Sequence, residues 1–392
     1  MLVALVRGVK VTRVKRIVII FIIATIFLSS VGCRNNLVNK WDNYTGDTDV
    51  YYHEPNETIK FETTQAESTE TVEAVLGYGI PEYWNAELWD VVTESRKIIA
   101  ETKGNSTTFL WYNDAHLSYS ARLSVPILTF LQDHINVQYV NFGGDIVSDN
   151  PDVEHDEIVA QLRSWRKATL ALSGHHSVVG NHDDDIEEFS TRADLYDFLL
   201  KDETNKIADE NNNFCYYVDN FEEQTRYIYL STGFDETTSE DIRFLVNALC
   251  RTAKEWHIVL VSHIWFSYNS TLTPTEGKVP EFAQTILNVL DDYNARNSGS
   301  ENGIDYNFSD ADAKVEFCIG GHTHVDFEFF TEGGIPVVLT ETDSYHLRGD
   351  NKKNDKTDEA AVSVIVVDYN MQVIHIIRAG RGQNRTVPLA EN

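Results

Sequence analysis

The sequence predicts an α/β fold in which two packed β-sheets are flanked by helices. Between residues 105 and 321, apolar segments of strand length alternate with segments whose apolar residues recur at helical spacing. After residue 321 nearly every apolar segment has strand length, which predicts a largely antiparallel sheet at the end of the chain. With 392 residues, of which 42% are hydrophobic, the chain can bury a core for both sheets.

The predicted helices share an apolar stripe that repeats every three to four residues. The first begins after Pro81, and the second contains Pro126, which would limit its first turns. The predicted helices cover 81–101, 121–134, 154–170, 240–252 and 281–294.

The predicted strands are short apolar segments bounded by residues typical of turns. They cover 107–114, 137–145, 226–232, 256–263 and 315–321, and a further strand within 171–183 leads into a loop. The last four predicted strands cover 325–330, 335–342, 362–369 and 371–380.

Residues 1–33 have the pattern of a signal peptide. Residues 1–16 contain five basic residues and no acidic one, and an apolar segment follows at 17–28. The segment LSSVGC then ends at Cys33 and is similar to a bacterial lipoprotein cleavage box, although Ser30 stands where an aliphatic residue is usual. We therefore expect an exported protein, held at the membrane outside the cytoplasm by a lipid on Cys33. An ordinary signal peptide and a short uncleaved anchor are the alternatives.

Residues 34–80 are polar and acidic with weak apolar periodicity. This composition predicts a flexible tether that leads to a folded domain over residues 81–392. The other cysteines, Cys215, Cys250 and Cys318, are predicted to be small buried apolar residues rather than a disulfide framework.

The charge of the chain excludes some classes of partner. There are 61 acidic and 32 basic residues, which gives a net charge of −29. Such a surface repels nucleic-acid backbones, so we expect no nucleic-acid binding. An anionic substrate would need a strong local positive centre, and a bound metal ion can supply one.

Five predicted strands are each followed by residues that can bind a metal ion. Because sites in α/β folds assemble at the carboxyl edge of the strands, we expect these residues to lie close together. They are oxygen and imidazole donors without a thiolate, a set that suits divalent manganese, iron or zinc. Their number exceeds a single tetrahedral site and suits two ions that share a carboxylate. The segments are Asp114-Ala115-His116, Asp145, Gly180-Asn181-His182-Asp183, His263 and His322-Thr323-His324.

In this order the segments resemble the motifs DxH, GD, GNH[DE], H and GHxH of the calcineurin-like metallophosphoesterases. The resemblance covers roughly residues 105–345 and implies a four-layer α-β-β-α sandwich built on two mixed sheets. It implies two divalent ions with these ligands: Asp114, His116 and His324 for one, Asn181, His263 and His322 for the other, and Asp145 between both.

The resemblance also implies roles for two residues that are not ligands. His182 would face the substrate phosphate, and Asp183 would orient it. The expected reaction is hydrolysis of a phosphomonoester or phosphodiester by a metal-bound hydroxide. Two alternatives are a non-catalytic surface lipoprotein that binds a ligand on the same fold, and a protein with structural metals. The complete ligand set and the additional His182 favour the enzyme.

Other polar segments have less specific patterns. Residues 265–277 follow His263 and combine aromatic with polar side chains, which is typical of a substrate-facing loop. Arg378, Arg381 and Arg385 are predicted to form either a solvated turn or a phosphate-facing group. The remaining residues near the motifs are predicted to be loop or helix-start carboxylates (Asp149, Asp184, Asp185), structural histidines (His175, His176) and neighbours of the first ligand (Tyr112, Asn113).

Overall fold

The computed structural model describes residues 72–116, 121–146, 155–184, 191–208, 214–267, 277–343 and 357–389. The predicted signal peptide with Cys33, most of the predicted tether, Asp149, Asp185 and most of the predicted loop 265–277 lie outside these residues. In the described part of the chain, no helix has the length and apolar character needed to cross a membrane.

The helices agree closely with the predicted segments. Pro126 lies inside the third of them without delaying its start, and three short helices of four to eight residues were not predicted. The α-helices are α1 (Val72–Gly77), α2 (Asn85–Thr102), α3 (Ala121–Ile135), α4 (His155–Thr169), α5 (Asn181–Asp184), α6 (Arg192–Leu199), α7 (Ser239–Cys250) and α8 (Glu281–Asn294).

Among the described residues, the first sheet has six strands in the order β15-β14-β13-β1-β2-β3. Strands β1, β2 and β3 are parallel to one another, while β13, β14 and β15 are antiparallel to their neighbours. Its strands are β1 (Ser106–Tyr112), β2 (Val140–Phe142), β3 (His175–Ser177), β13 (Ala361–Asp368), β14 (Val373–Gly380) and β15 (Arg385–Pro388).

The described part of the second sheet has seven strands in the order β11-β12-β10-β7-β6-β5-β4, of which β6, β7, β10 and β12 are parallel. Its strands are β4 (Ile207–Ala208), β5 (Tyr216–Asn220), β6 (Thr225–Tyr229), β7 (His257–Val261), β10 (Lys314–Gly320), β11 (Phe327–Phe330) and β12 (Pro336–Leu339). A separate hairpin pairs β8 (Ser298–Glu301) with β9 (Ile304–Asn307). The prediction of one antiparallel sheet at the end of the chain is wrong in part, because these strands are divided between both sheets and β12 is parallel to β10.

Strand β7 illustrates how the two sheets share a core. Val259 and Val261 belong to an apolar cluster that also contains residues of β1, α2 and α3. Ile258 and Leu260 belong to a second cluster, with residues of α7 and α8. Since successive strand residues point to opposite faces, the sheet is covered on both sides. The layers are therefore helix, sheet, sheet and helix, and the predicted four-layer sandwich is confirmed.

Packing begins before the predicted start of the folded domain. Val75 in α1 and Ile80 are fully buried in the first apolar cluster, although both lie in the segment predicted to be a tether. Of the three cysteines in the described residues, Cys215 and Cys318 are buried as predicted, whereas Cys250 at the end of α7 is exposed.

Candidate metal centre

The five motif segments meet at the edge of the sandwich where β1, β2, β7 and β10 end. Backbone hydrogen bonds join them directly: Asp114 N–H donates to the carbonyl of Gly144, and Gly321 N–H donates to that of His263. The backbone of His322 donates to the Asp114 carboxylate at 3.0 Å. Loops from both sheets are thus connected before any side chain binds an ion.

Most of the predicted ligands have a strained backbone. Five of them have positive φ angles, in the left-handed region that costs a residue with a side chain about 1–2 kcal/mol. Such strain is typical of functional sites, where the surrounding structure holds it in place. These residues are Asp114 (50°), His116 (45°), Asp145 (57°), His322 (68°) and His324 (56°).

One group of potential ligands comprises Asp114, His116, Asp145 and His324, each of which contributes an atom within 4.8 Å of the others. His324 Nε2 lies 3.0 Å from Asp114 Oδ1 and 3.2 Å from His116 Nε2. His116 Nε2 is 3.9 Å from Asp145 Oδ2.

A second group comprises Asp145, His263 and His322. His263 Nε2 lies 3.1 Å from Asp145 Oδ2 and 3.1 Å from Asn181 Oδ1. The same amide oxygen is 2.9 Å from His322 Nδ1, so Asn181 completes this group. Asp145 is the member that both groups share.

The spacing of these atoms fits metal coordination. Two ligands about 2.1 Å from one ion, at angles of 90–109°, are themselves separated by about 3.0–3.4 Å. The His116–His324, His263–Asn181 and His263–Asp145 separations lie in or close to this range. His263 also donates from Nδ1 to the carbonyl of Gly143 at 2.6 Å, which leaves Nε2 as the donor atom that faces the site.

Burial and charge oppose each other among these groups. Burial would raise the pKa of Asp114, but His324, His263 and His116 outweigh it and hold that pKa far below its usual value. Asp145 is likewise held below its usual pKa, chiefly by His263. In turn Asp145 outweighs burial at His263 and raises its pKa to about 10, so an ion that binds Nε2 must displace a proton from it. Both carboxylates are therefore ionised, as metal ligands must be.

His322 responds in the other direction. Burial, together with the charge of His263, lowers its pKa to about 4. Its imidazole is therefore neutral at pH 7, the form that can bind a metal ion.

His182 and Asp183 lie beside the shared carboxylate. His182 N–H donates to Asp145 Oδ1 at 2.9 Å, its Nε2 lies 3.9 Å from Asp145 Oδ2, and its side chain is 27% exposed. Asp183 is buried, and its carboxylate accepts from the backbone N–H groups of Asp145, Ile146 and Gly180. These contacts join the loop that carries Asp145 to the loop of residues 180–183, while the predicted role of Asp183 in orienting His182 stays a prediction.

Glycine is required where these two loops cross. A Cβ on Gly180 would lie 2.7 Å from Asp145 Cγ and closer still to its Oδ1 and backbone N. At Gly144, which has a φ of +89°, a Cβ would lie 2.7 Å from Gly180 N and 2.9 Å from His263 Nδ1. The pattern of glycines in the motifs therefore reflects close backbone contact.

The segment Thr340-Glu341-Thr342-Asp343 holds the backbone of the first ligand in place, a role that the sequence did not indicate. Thr342 Oγ1 donates to the carbonyl of Asp114 at 2.8 Å, and Asp343 N–H donates to that of Asn113 at 2.9 Å. Trp111 Nε1 donates to Thr340 Oγ1 at 2.7 Å. A hydroxyl residue after a strand is too common for this role to be recognised from its pattern.

All three arginines near the C-terminus lie next to acidic side chains. Arg378 is only 5% exposed, and its Nη2 donates to Asp326 Oδ1 at 2.6 Å. Arg385 pairs with Glu328, and Arg381 lies 3.3 Å from Glu341. A solvated turn is therefore wrong for Arg378, which instead links β14 to the chain two residues after His324.

The other sequence-predicted neighbours are placed as follows. His175 and His176 are buried in β3, as expected of structural histidines. The hydroxyl oxygen of Tyr112 lies 2.9 Å from His175 Nε2. Asp184 ends α5 and lies 3.6 Å from Arg192.

The chain is similar in structure to proteins that have been solved, although its sequence matches no known family. No protein-family model matches the chain, and no curated protein matches it. Among solved structures, a dimetal phosphatase from Danio rerio aligns with 72% of this chain and 99% of its own, at 13% identity and a TM-score of 0.44. YfcE, a phosphoesterase from E. coli, aligns with 72% of this chain and 100% of its own, at 13% identity and a TM-score of 0.33. The function therefore has to be inferred from the site itself.

Proposed function

We propose that this chain is a two-metal phosphoesterase of the calcineurin-like type, which acts outside the cytoplasm while held at the membrane. The observation that carries the proposal is the pair of ligand groups that share Asp145. A single structural ion would need only one of these groups, and a closed structural site would not leave a partly exposed histidine beside it.

Two divalent ions in these groups would supply Lewis-acid activation of a phosphoryl oxygen and of a water molecule. The ligands would be Asp114, His116 and His324 for one ion and Asn181, His263 and His322 for the other, with Asp145 shared. Manganese, iron and zinc all suit this oxygen and imidazole set.

The protein residues have separable tasks in this reaction. The strained loops hold the ligands in position before substrate binds, so little reorganisation is needed during the reaction. His182 is within reach of a group bound beside Asp145, and its backbone is anchored to that carboxylate. Its imidazole can donate a proton to a phosphoryl oxygen or to the departing alkoxide. Asp183 keeps the loops that carry Asp145 and Asn181 together.

The substrate class is a phosphomonoester or phosphodiester. Because the chain carries a net charge of −29, attraction of an anionic ester depends on positive charge within the site. The basic and apolar segment that ends at Cys33 supports export and lipid attachment.

The test compares Asp145→Ala with His182→Ala, each measured for metal content and for hydrolysis of an activated phosphodiester and phosphomonoester. Asp145→Ala should lose both ions and activity, whereas His182→Ala should keep both ions and lose about 10²- to 10⁴-fold in rate. Equal loss of metal in both variants would contradict the assigned roles. Full activity after chelation would refute the two-metal mechanism.

The same measurements separate the enzyme from a non-catalytic lipoprotein on this fold. A binding protein would retain its ions and show no turnover against any ester. The location has its own test, in which Cys33→Ala is expected to release the protein from the membrane fraction of the producing cell. Retention of that variant in the membrane would favour an uncleaved anchor instead.

A further inference from the structure

An open cavity of about 530 Å³ lies beside α4 and α6, away from the metal centre. Its described lining consists of three basic and three apolar residues. The described residues that line it are Arg163, Arg166, Lys167, Leu170, Ala171 and Phe198. No acidic side chain lines it among these residues, in a chain where acidic residues outnumber basic ones 61 to 32.

Arg166 is the unusual member of this set. It is only 6% exposed, and its Nε and Nη2 atoms have no hydrogen-bond partner in the described part of the chain. A buried guanidinium without an acceptor is costly, because its charge is removed from water without compensation. Buried polar groups of this kind are normally satisfied by a protein group, an ordered water or a ligand.

The neighbours of Arg166 do not explain its position. His175 lies close enough for its pKa to be affected: burial first, and the charge of Arg166 second, hold that pKa well below its usual value. The ring is therefore neutral at pH 7, and neither protonation state of an imidazole could supply the negative charge that Arg166 lacks. A cation in the last turn of α4 interacts favourably with the helix dipole, but this interaction leaves the Nε–H and Nη2–H groups without acceptors.

We propose that this cavity binds an organic anion, whose carboxylate, sulfonate or phosphate group contacts Arg166 and whose apolar part lies against Leu170 and Phe198. The anionic group would accept from the free guanidinium N–H groups, an arrangement that arginine is well suited to form. The half-exposed Leu170 (49%) would be covered by the apolar part. The site is independent of the metal ions, so it does not rest on the proposed function.

Binding is tested by calorimetry on the full chain with octanesulfonate and octanoate, neither of which is a phosphate ester, and with inorganic phosphate and uncharged 1-octanol for comparison. We expect saturable binding of the two octyl anions at one site per chain, with weaker binding of phosphate and octanol. The same binding is expected in Asp145→Ala, since the anion does not use the metal centre.

Two pairs of variants test the contacts. Arg166→Gln should weaken octanesulfonate binding about tenfold or more, whereas Arg251→Gln, which removes an exposed arginine at the end of α7, should leave it unchanged. Leu170→Glu should weaken binding by repulsion, and Leu170→Gln should do so much less. If circular dichroism shows that Arg166→Gln does not fold, the two Leu170 variants test the proposal instead. Leu170 is half exposed, so these variants should fold, and they leave Arg166 unchanged.

Several outcomes would overturn the proposal. These are no saturable binding to the unmodified chain, equal affinity for octanol, unchanged affinity in Arg166→Gln or in Leu170→Glu, and loss of binding in Asp145→Ala. The last result would place the anion at the metal centre.

Discussion

Substitution of Gly180 by alanine should disrupt the metal centre although it replaces no metal ligand. The added Cβ would lie 2.7 Å from Asp145 Cγ and nearer still to the Asp145 backbone, whereas carbon atoms in contact normally stay more than about 3.4 Å apart. Asp145 or Gly180 must therefore shift by about 0.7–1 Å. A displacement of about 1 Å at a catalytic group can lower the rate by about 10²-fold, and overpacking of this kind costs about 1–3 kcal/mol of stability.

The assay measures metal content, phosphodiesterase rate and the unfolding temperature of Gly180→Ala. Gly77→Ala is the matched control, because a Cβ on Gly77 meets nothing within 4 Å, and it should leave all three quantities within error or slightly raise stability. If Gly180→Ala keeps two ions per chain, wild-type activity and an unchanged unfolding temperature, close contact between the two loops is not what makes glycine necessary there.

Three further predictions concern residues around the core and the site. Asp183→Asn should lower the free energy of unfolding by about 1–3 kcal/mol and weaken metal retention, since an amide cannot accept from all three backbone N–H groups. Metal retention is measured by titration with a chelator, and Asp184→Asn, which changes a partly exposed ion pair, is the control. Arg378→Met should destabilise the fold by up to about 3 kcal/mol because Asp326 loses its hydrogen bond from Arg378 and keeps only the longer ion pair with Arg385 and the backbone N–H of Glu341. The double variant with Asp326→Asn should recover part of that loss in urea unfolding. Burial raises the pKa of Glu223 to about 8. Ionisation of Glu223 should therefore lower the free energy of unfolding as the pH rises from about 4.5 to 8, by an amount on the order of a few kcal/mol. Glu223→Gln should flatten this dependence of the unfolding free energy on pH, and an unchanged dependence would contradict the raised pKa.

The sequence predicted the elements of the core well because their signals are strong. Each central strand contains several apolar residues in succession or alternation, and each long helix has an apolar stripe that faces a sheet. The hairpin of β8 and β9 was missed because its strands are polar, although Asn302 and Gly303, with φ angles of 47° and 76°, form the kind of turn that joins two strands tightly. Helix α6 was missed for a different reason: it has only eight residues, about two turns, which is too short for a clear period.

At the candidate site, the sequence predicted which residues could bind metal but not how the backbone presents them. The positive φ angles of Asp114, His116 and His324 have no sequence signal, because aspartate and histidine rarely adopt them without support from the rest of the fold. The same holds for Asp183, whose three backbone partners come from two different loops.

The sequence by itself determined the types of side chain at the end of each strand and the apolar pattern that makes those strands. That much follows from local chemistry, since strand and helix periods and donor atoms can be read along the chain. Only the tertiary structure decided that β1 and β2 of one sheet and β7 and β10 of the other end at the same edge, so that Asp145 is shared by two ligand groups. It also decided that Arg166 and Arg378 are buried, because burial depends on which distant elements pack over a residue and not on the residue's neighbours in sequence.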